Sequence, residues 1–209
     1  MTQVLLAIDT SSGTAVAVLV DGVVASEFYD PNTMQHAEQI GLQIKNVLDA
    51  AGKKPNEVSA VAVGLGPGPF TGLRVGIAAA KMFAEGVGAA IFGVGSLDAI
   101  AFSKDLTEPT LVLTDARRSE VFFGLYQGKT RAGAPKVLLG PGVKRQAELE
   151  AELQATGQSY ELNSGVITAS AVGLLALAQL AEGTANSSIV ANYLRAPDAV
   201  PSKGKKVSG

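Results

Sequence analysis

The chain has 209 residues, no cysteine, no tryptophan, one histidine and a formal net charge of −2. Lack of cysteine excludes disulfides, thiolate nucleophiles and cysteine-held metals. The faintly acidic balance and an aromatic share of 5% argue against a protein whose main task is gripping a phosphate backbone or stacking bases. Hydrophobic residues make up 47%, and mean hydropathy is +0.26. Even so, no run approaches the ~18 uncharged apolar residues of a membrane span. Residues 4–8 lack a basic leader and end at Asp9, so they read as a first strand rather than a signal peptide. A cytosolic protein is expected.

Residues 4–8 and 14–20 form two apolar runs around the turn Asp9-Thr10-Ser11-Ser12-Gly13. Asp21-Gly22 is a hairpin signal, and residues 23–29 return as a third strand. Over residues 36–51, Ala37, Ile40, Ile44, Val47, Leu48 and Ala51 recur at helical spacing, closed by Gly52 at C′. A short strand at 58–64, a glycine-proline turn, a helix at 72–86 and a strand at 90–94 follow. Near residue 110 the pattern begins again. Leu111-Val112-Leu113-Thr114-Asp115 echoes Leu5-Leu6-Ala7-Ile8-Asp9, residues 121–126 echo the second strand, and Gln127-Gly128 falls where Asp21-Gly22 fell. From Asp9 to Asp115 and from Gly22 to Gly128 is 106 residues in each case. Two lobes that each open with a β-meander predict an α/β, actin-like (ASKHA, ribonuclease H-like) fold by internal duplication. The expected division is an N-terminal lobe at 1–102, a reduced C-terminal lobe at 103–196 and a disordered basic tail at 197–209 carrying Lys203, Lys205 and Lys206. In the second lobe, 136–153 is charged and helix-prone after Pro141-Gly142, 169–182 is a strongly apolar helix, and 187–195 ends the fold.

The densest motif runs from Gly64 to Arg74, Gly-Leu-Gly-Pro-Gly-Pro-Phe-Thr-Gly-Leu-Arg. A glycine-rich turn entering a helix can cradle phosphate. This one lacks the Lys-Ser/Thr ending of a P-loop, and Pro67 and Pro69 remove two N–H donors. The favoured reading is a rigid turn with Thr71 as N-cap. Asp9 and Asp115, each at a strand end, are either vestiges of a phosphate site that would hold Mg-ATP or caps of their own turns. His36 at a helix start is expected to be a cap or surface residue, since a zinc site needs three or four clustered ligands. No Gly-x-Ser-x-Gly elbow exists for a serine hydrolase. In the helix at 72–86, Arg74, Lys81 and Glu85 form one polar stripe. Leu73, Val75, Ile77, Met82 and Phe83 spread over the rest, with small residues at Gly72, Gly76 and Ala80. Apolarity on more than one side predicts burial on more than one side, and a partner interface is the favoured explanation over core packing alone.

Leu6-Ala7-Ile8-Asp9-Thr10-Ser11, the glycine signature at 64–74 and Asp115-Ala116-Arg117-Arg118-Ser119-Glu120-Val121-Phe122 together resemble the TsaB (YeaZ) family, as far as Tyr193-Leu194-Arg195, which is similar to the family's closing strand. Pro69 stands where serine is more usual. The resemblance implies a non-catalytic scaffold of tRNA threonylcarbamoyladenosine formation, beside TsaD and the ATPase TsaE, despite the family's older labels of glycoprotease and peptidase M22. The paralogue TsaD carries a His-x-x-x-His metal motif where this chain has Ser96-Leu97-Asp98-Ala99-Ile100, so no metal and no cofactor are expected. The resemblance also implies that the first two helices bind TsaD, or a second copy of the chain when TsaD is absent, with tRNA met only indirectly. Carried onto this sequence, the interface would use Ile40, Ile44, Val47, Gly72, Leu73, Val75, Gly76, Ala79, Ala80 and Phe83. The competing classes are an ATP-dependent small-molecule kinase using Asp9 and Asp115, and a metallopeptidase, which would need a metal.

Overall fold

The computed structural model describes residues 2–33, 35–157 and 159–195; the expected tail at 197–209 lies outside them. The first sheet holds β1 (Val4–Asp9), β2 (Thr14–Val20), β3 (Val23–Asp30), β4 (Ala60–Gly64) and β5 (Ala90–Val94), in the order β3-β2-β1-β4-β5. The second holds β6 (Thr110–Asp115), β7 (Glu120–Lys129), β8 (Pro135–Arg145) and β9 (Glu161–Ser164), in the order β8-β7-β6-β9. Among the described residues five α-helices complete the fold: α1 (His36–Ala50), α2 (Phe70–Val87), α3 (Ser96–Phe102), α4 (Gln146–Ala155) and α5 (Ala169–Ala181).

The repeat seen in the sequence is a repeat in structure. β1 and β6 are related by the 106-residue spacing at both ends, and the hairpin register repeats with them. Asp9 lies opposite Ala15, and Asp115 opposite Val121. In each half the first strand pairs antiparallel with the second and parallel with the strand after the first helix. Asp21 and Gly22 take φ of 50° and 80°, the left-handed pair that a tight hairpin requires.

Strand alternation sorts the first sheet's side chains into two cores. Val4, Leu6, Ile8, Val16, Val18, Val61 and Val63 face α1 and α2. Leu5, Ala7, Ala15, Ala17, Leu19, Ala60 and Ala62 face the other way, into a core shared with α3, α5 and the inner face of the second sheet. That second face is rich in alanine for a physical reason, because α5 lies close upon it. A Cβ on Gly173 would sit 2.6 Å from Leu19 Cδ1 and 3.2 Å from Ala7 Cβ. With a sheet on one side and α3 on another, α5 is apolar nearly all round, as a doubly covered helix must be. The layers thus run α1/α2, first sheet, α3/α5, second sheet, α4, with Leu111, Leu113, Phe123, Leu125, Leu149 and Leu153 forming the outermost core.

Three expectations change. The second helix begins at Phe70 with Pro69 in the N-cap position and no side-chain cap, so Thr71 lies inside the first turn; proline's fixed φ, −59° here, suits a helix entrance. Of residues 136–153, only those from Gln146 are helical. The rest extend as edge strand β8, where Pro141 costs no central ladder bond. Residues 193–195 form no strand. The preceding stretch is instead tied by Gly93 N–H to Asn186 O at 2.8 Å and Asn192 N–H to Leu65 O at 2.7 Å.

Helix α2 approaches the end of β1 through its glycines. The Thr10 hydroxyl donates to Gly72 O at 2.7 Å and accepts from Gly76 N–H at 3.1 Å. A Cβ at Gly72 would stand 2.6 Å from Thr10 O, a main-chain atom that cannot rotate away. Gly72→Ala should therefore cost about 1–3 kcal/mol through overpacking. Gly86→Ala, with no atom within 4 Å of its added Cβ, should gain about 0.5–1 kcal/mol from helix propensity. Urea unfolding of the two variants checks this; equal behaviour would mean that α2 sits further from β1.

Candidate functional site

Among the described residues, six of the seven buried polar ones gather at one place, Thr110 on β6 being the seventh. Asp9, Thr10, Ser11, Thr14, His36 and Ser96 are all buried, where the end of β1, the heads of α1, α2 and α3, and the glycine loop meet. Asp9 is 1% exposed. Its Oδ1 accepts from Ser11 N–H at 2.7 Å and from Ser11 Oγ at 2.6 Å, and its Oδ2 accepts from Ser96 Oγ at 2.6 Å. Ser96 Oγ in turn accepts Gly66 N–H at 3.0 Å, while Ser96 N–H donates to Gly66 O at 2.9 Å. Burial pushes the Asp9 carboxyl above the ordinary range, and the bonds from Ser11 and Ser96 pull it back.

The glycine loop is the cover of this carboxylate. A Cβ at Gly64 would stand 1.8 Å from Asp9 Oδ2, and one at Gly68 would meet Ser11 Cα and O at 2.9 Å. Gly64 and Gly68 are therefore there for closeness to the Asp9–Ser11 turn, whereas Gly66 takes φ of 91° and faces Leu73. Both Asp9 oxygens are engaged by the chain's own donors. The turn-cap reading of the two aspartates holds for both. Asp115 Oδ1 accepts Arg117 N–H at 2.8 Å, the same i to i+2 bond as Asp9 with Ser11.

The two aspartates are not equivalent otherwise. Asp115 is exposed and lines an open cleft of ≈ 520 Å³ between the sheets, with Ser12, Tyr29, Thr114, Gln146 and Ser164. The turn beyond it holds Arg117, Arg118 and Ser119 at φ of 62°, 54° and 62°, three successive L-residues in the left-handed region at about 1–2 kcal/mol each. Arg195 clamps that turn, donating from Nη1 to Ala116 O at 2.6 Å and lying 3.6 Å from Glu120.

His36 is buried, not a cap or a surface residue. Its Nδ1 shares a hydrogen with Thr14 Oγ1 at 2.8 Å, and Gln35 takes the N-cap position. Among the described residues no group of three or more His, Asp or Glu could hold a metal ion. At the two positions where the family resemblance sets this chain against a metal-binding paralogue, Ser96 bonds Asp9 and Ile100 is packed in the central core. Asp98 between them accepts from Tyr126 Oη at 2.7 Å, joining α3 to β7; burial raises the pKa of both groups.

The residues expected at a partner surface divide. Ile40, Ile44, Val47, Gly72, Leu73, Gly76 and Ala80 are buried within the chain's own core. Gly72 and Gly76 of the small-residue rhythm permit close approach to Thr10 of the same chain. Val75, Ala79 and Phe83 stay half-buried at the edge of that core. The face that α2 turns to solvent carries Arg74, Ala78 and Met82, spaced by four, with the charged Lys81 and Glu85 beside them; Met82 is 75% exposed. Phe70 heads the same line, and Arg74 lies against it, 3.8 Å from the ring centre. The link from Arg74 to Tyr193 was beyond sequence reasoning, because nothing periodic joins residues 119 apart.

A family model described as TsaD, tRNA N6-adenosine threonylcarbamoyltransferase, matches residues 24–187. The TsaB of Escherichia coli, described as a tRNA threonylcarbamoyladenosine biosynthesis protein, is 30% identical over 167 residues, 75% of this chain and 72% of that one. The chain belongs to the TsaB (YeaZ) family. An uncharacterized protein of Mycobacterium leprae is 40% identical over 144 residues, which cover 65% of this chain but 38% of that longer protein. A crystal structure from Pseudomonas aeruginosa, described as similar to peptidase YeaZ, superposes with a TM-score of 0.77 at 25% identity, covering 92% of this chain and 100% of that one. The actin-like fold expected for the family is the fold found, and no helix among the described residues is long and apolar enough to cross a membrane.

Burial holds the His36 imidazole below its ordinary pKa of 6.5, against the carboxylates of Asp9 and Asp30, which raise it. The unfolded chain then takes up the proton first, so His36 contributes stability above about pH 6.5 that is lost as pH falls through its lowered folded value. Urea unfolding from pH 7.5 to pH 5 should show that loss, and His36→Gln should have a shallower slope over that window. Parallel slopes would place the imidazole in solvent.

Proposed function

We propose that this chain is a non-catalytic scaffold subunit in the formation of threonylcarbamoyladenosine on tRNA, acting in the cytoplasm by holding a TsaD-type catalytic partner, with a TsaE-type ATPase joining the assembly. The observation that carries the reading is the sealed Asp9. In a family whose paralogue is named as a transferase, the first-strand carboxylate of this chain is closed over by Gly64–Gly68 and spent on Ser11 and Ser96. Ser96 and Ile100 at the two positions set against the metal-binding paralogue add to it, since neither imidazole is present. The kinase alternative needs Asp9 to face Mg-ATP, and its hydrogen bonds oppose that. On this reading residues 1–102 and 103–196 are the two lobes, coupled by α5 packing upon the first sheet, and tRNA is gripped chiefly by the partners.

The docking surface we assign is the outer face of α1 and α2. Leu42 on α1 and Met82 on α2 are 57% and 75% exposed, with Val75, Ala79 and Phe83 half-buried beside them. Two helices from each protein would bury about 1,600 Å², the standard size of a specific interface. In the absence of the partner the same face would pair with a second copy.

Met82→Glu should weaken binding to the TsaD-type partner at least about tenfold, since burying an unpaired charge costs several kcal/mol. The melting temperature should be unchanged, because the side chain is exposed. Calorimetric titration checks both, and unaltered affinity would move the interface off α2. The isolated chain should also bind tRNA no more tightly than about 1 μM at physiological salt, within the non-specific range. A tighter, salt-sensitive complex in a filter-binding assay would contradict this.

A further inference from the structure

We infer that Phe70, Arg74 and Tyr193 form a preassembled cation–aromatic anchor that takes a carboxylate of the docked partner protein, and that residues 186–195 are a strap that builds it. The inference rests on the docking reading above and names the side chains that set its affinity.

The Arg74 guanidinium lies 3.8 Å from the Phe70 ring centre and 6.0 Å from that of Tyr193. Its Nε–H donates to the Tyr193 hydroxyl at 3.1 Å, and the two rings stand 4.9 Å apart at 38°. Arg74 and Tyr193 are exposed, so the group encloses no core. At the surface, a guanidinium stacked on one ring and bonded to a second has its plane fixed before any partner arrives. That removes part of the ordering cost of binding. Nε is spent on Tyr193, which leaves the Nη1/Nη2 edge, the pair of donors that fits a carboxylate fork to fork.

Tyr193 is brought to α2 by the strap. Gly93 N–H holds Asn186 O, Asn192 N–H holds Leu65 O, and Arg195 Nη1 holds Ala116 O. The strap is thus tied to β5, to the strand end entering the glycine loop, and to the β6–β7 turn. It has no helical or strand periodicity of its own, and its bonds set where Tyr193 stands. Phe70, Arg74, Ala78 and Met82 follow one another at intervals of four, so they share one line along α2. An anchor of Arg and Tyr beside the exposed Met82 has the composition of a protein-binding hot spot. A net charge of −2 argues against a polyanion such as RNA, and the planar donor edge of Arg74 fits a single carboxylate of a protein.

The test is titration of the TsaD-type partner with Arg74→Ala, Arg74→Lys, Tyr193→Phe and Met82→Glu, each first shown by its thermal melt to be folded. Arg74→Ala should raise Kd about tenfold or more, as hot-spot truncation does. Arg74→Lys should recover little of this, because lysine keeps the charge but not the planar fork. Tyr193→Phe, which loses only the hydroxyl that orients Arg74, should raise Kd about threefold, the worth of a modest net hydrogen bond. Wild-type affinity in Arg74→Ala overturns the anchor. If Met82→Glu still weakens binding, only the anchor falls; if Met82→Glu is also silent, the docking reading falls with it. Full rescue by Arg74→Lys would likewise overturn the fork, leaving a point charge.

Discussion

The structure depends on a carboxylate placed where water cannot reach it. Asp9 ends β1 at the meeting point of three helices, and its desolvation must be offset by donors the chain supplies. Ser11 gives two, and Ser96 gives a third. Those bonds dictate much else. Ser96 must head α3 and return to Gly66, the loop from Gly64 must be free of side chains on its inner side, and α2 must begin where that loop ends. Thr10, next in sequence, then receives α2 through Gly72 and Gly76. The end of β1 is thus the joint on which the first half is hung.

That joint accounts for how α2 is used. Its glycine side is consumed in reaching Thr10, its Leu73, Ile77, Ala80 and Ala84 side covers the sheet, and its exposed face holds the line from Phe70 to Met82 with Lys81 and Glu85 alongside. Since the loop fixes the launch of the helix and the Asp9 network fixes the loop, the exposed line is presented rigidly. The strap adds Tyr193 to its head from the far end of the chain. A surface so held is suited to recognition of a partner, and the buried polar cluster beneath it serves to position that surface.

Much of this was legible in the residues. The two aspartates, the hairpin glycines and the 106-residue spacing marked the duplicated meander because turns and strand alternation are local properties. Gly52 marked the end of α1 for the same reason. The direction of α2 was not legible. Small residues spaced by four announce close approach to something, but spacing cannot say whether that neighbour is another protein or Thr10 of the same chain. A lone histidine carries no periodicity, so sequence offers His36 a cap or a surface place, and its bond to Thr14 is a tertiary fact. Nothing periodic in residues 186–195 marks the strap, since its hydrogen bonds go singly to three different elements. Val143, Lys144 and Arg145 at the end of β8 suit an exposed helix as well as an edge strand.

The central claim is that this chain contributes a surface and no chemistry, and reconstituted threonylcarbamoyl transfer measured against the concentration of this chain tests it most directly. Asp115→Asn, altering the one first-strand carboxylate still open to the cleft, should give the wild-type curve. Met82→Glu should shift the curve to higher concentration and reach the same plateau, because a weakened scaffold is restored by mass action. A lowered plateau for Asp115→Asn at unchanged half-saturation would place a reacting group in this chain and contradict the account.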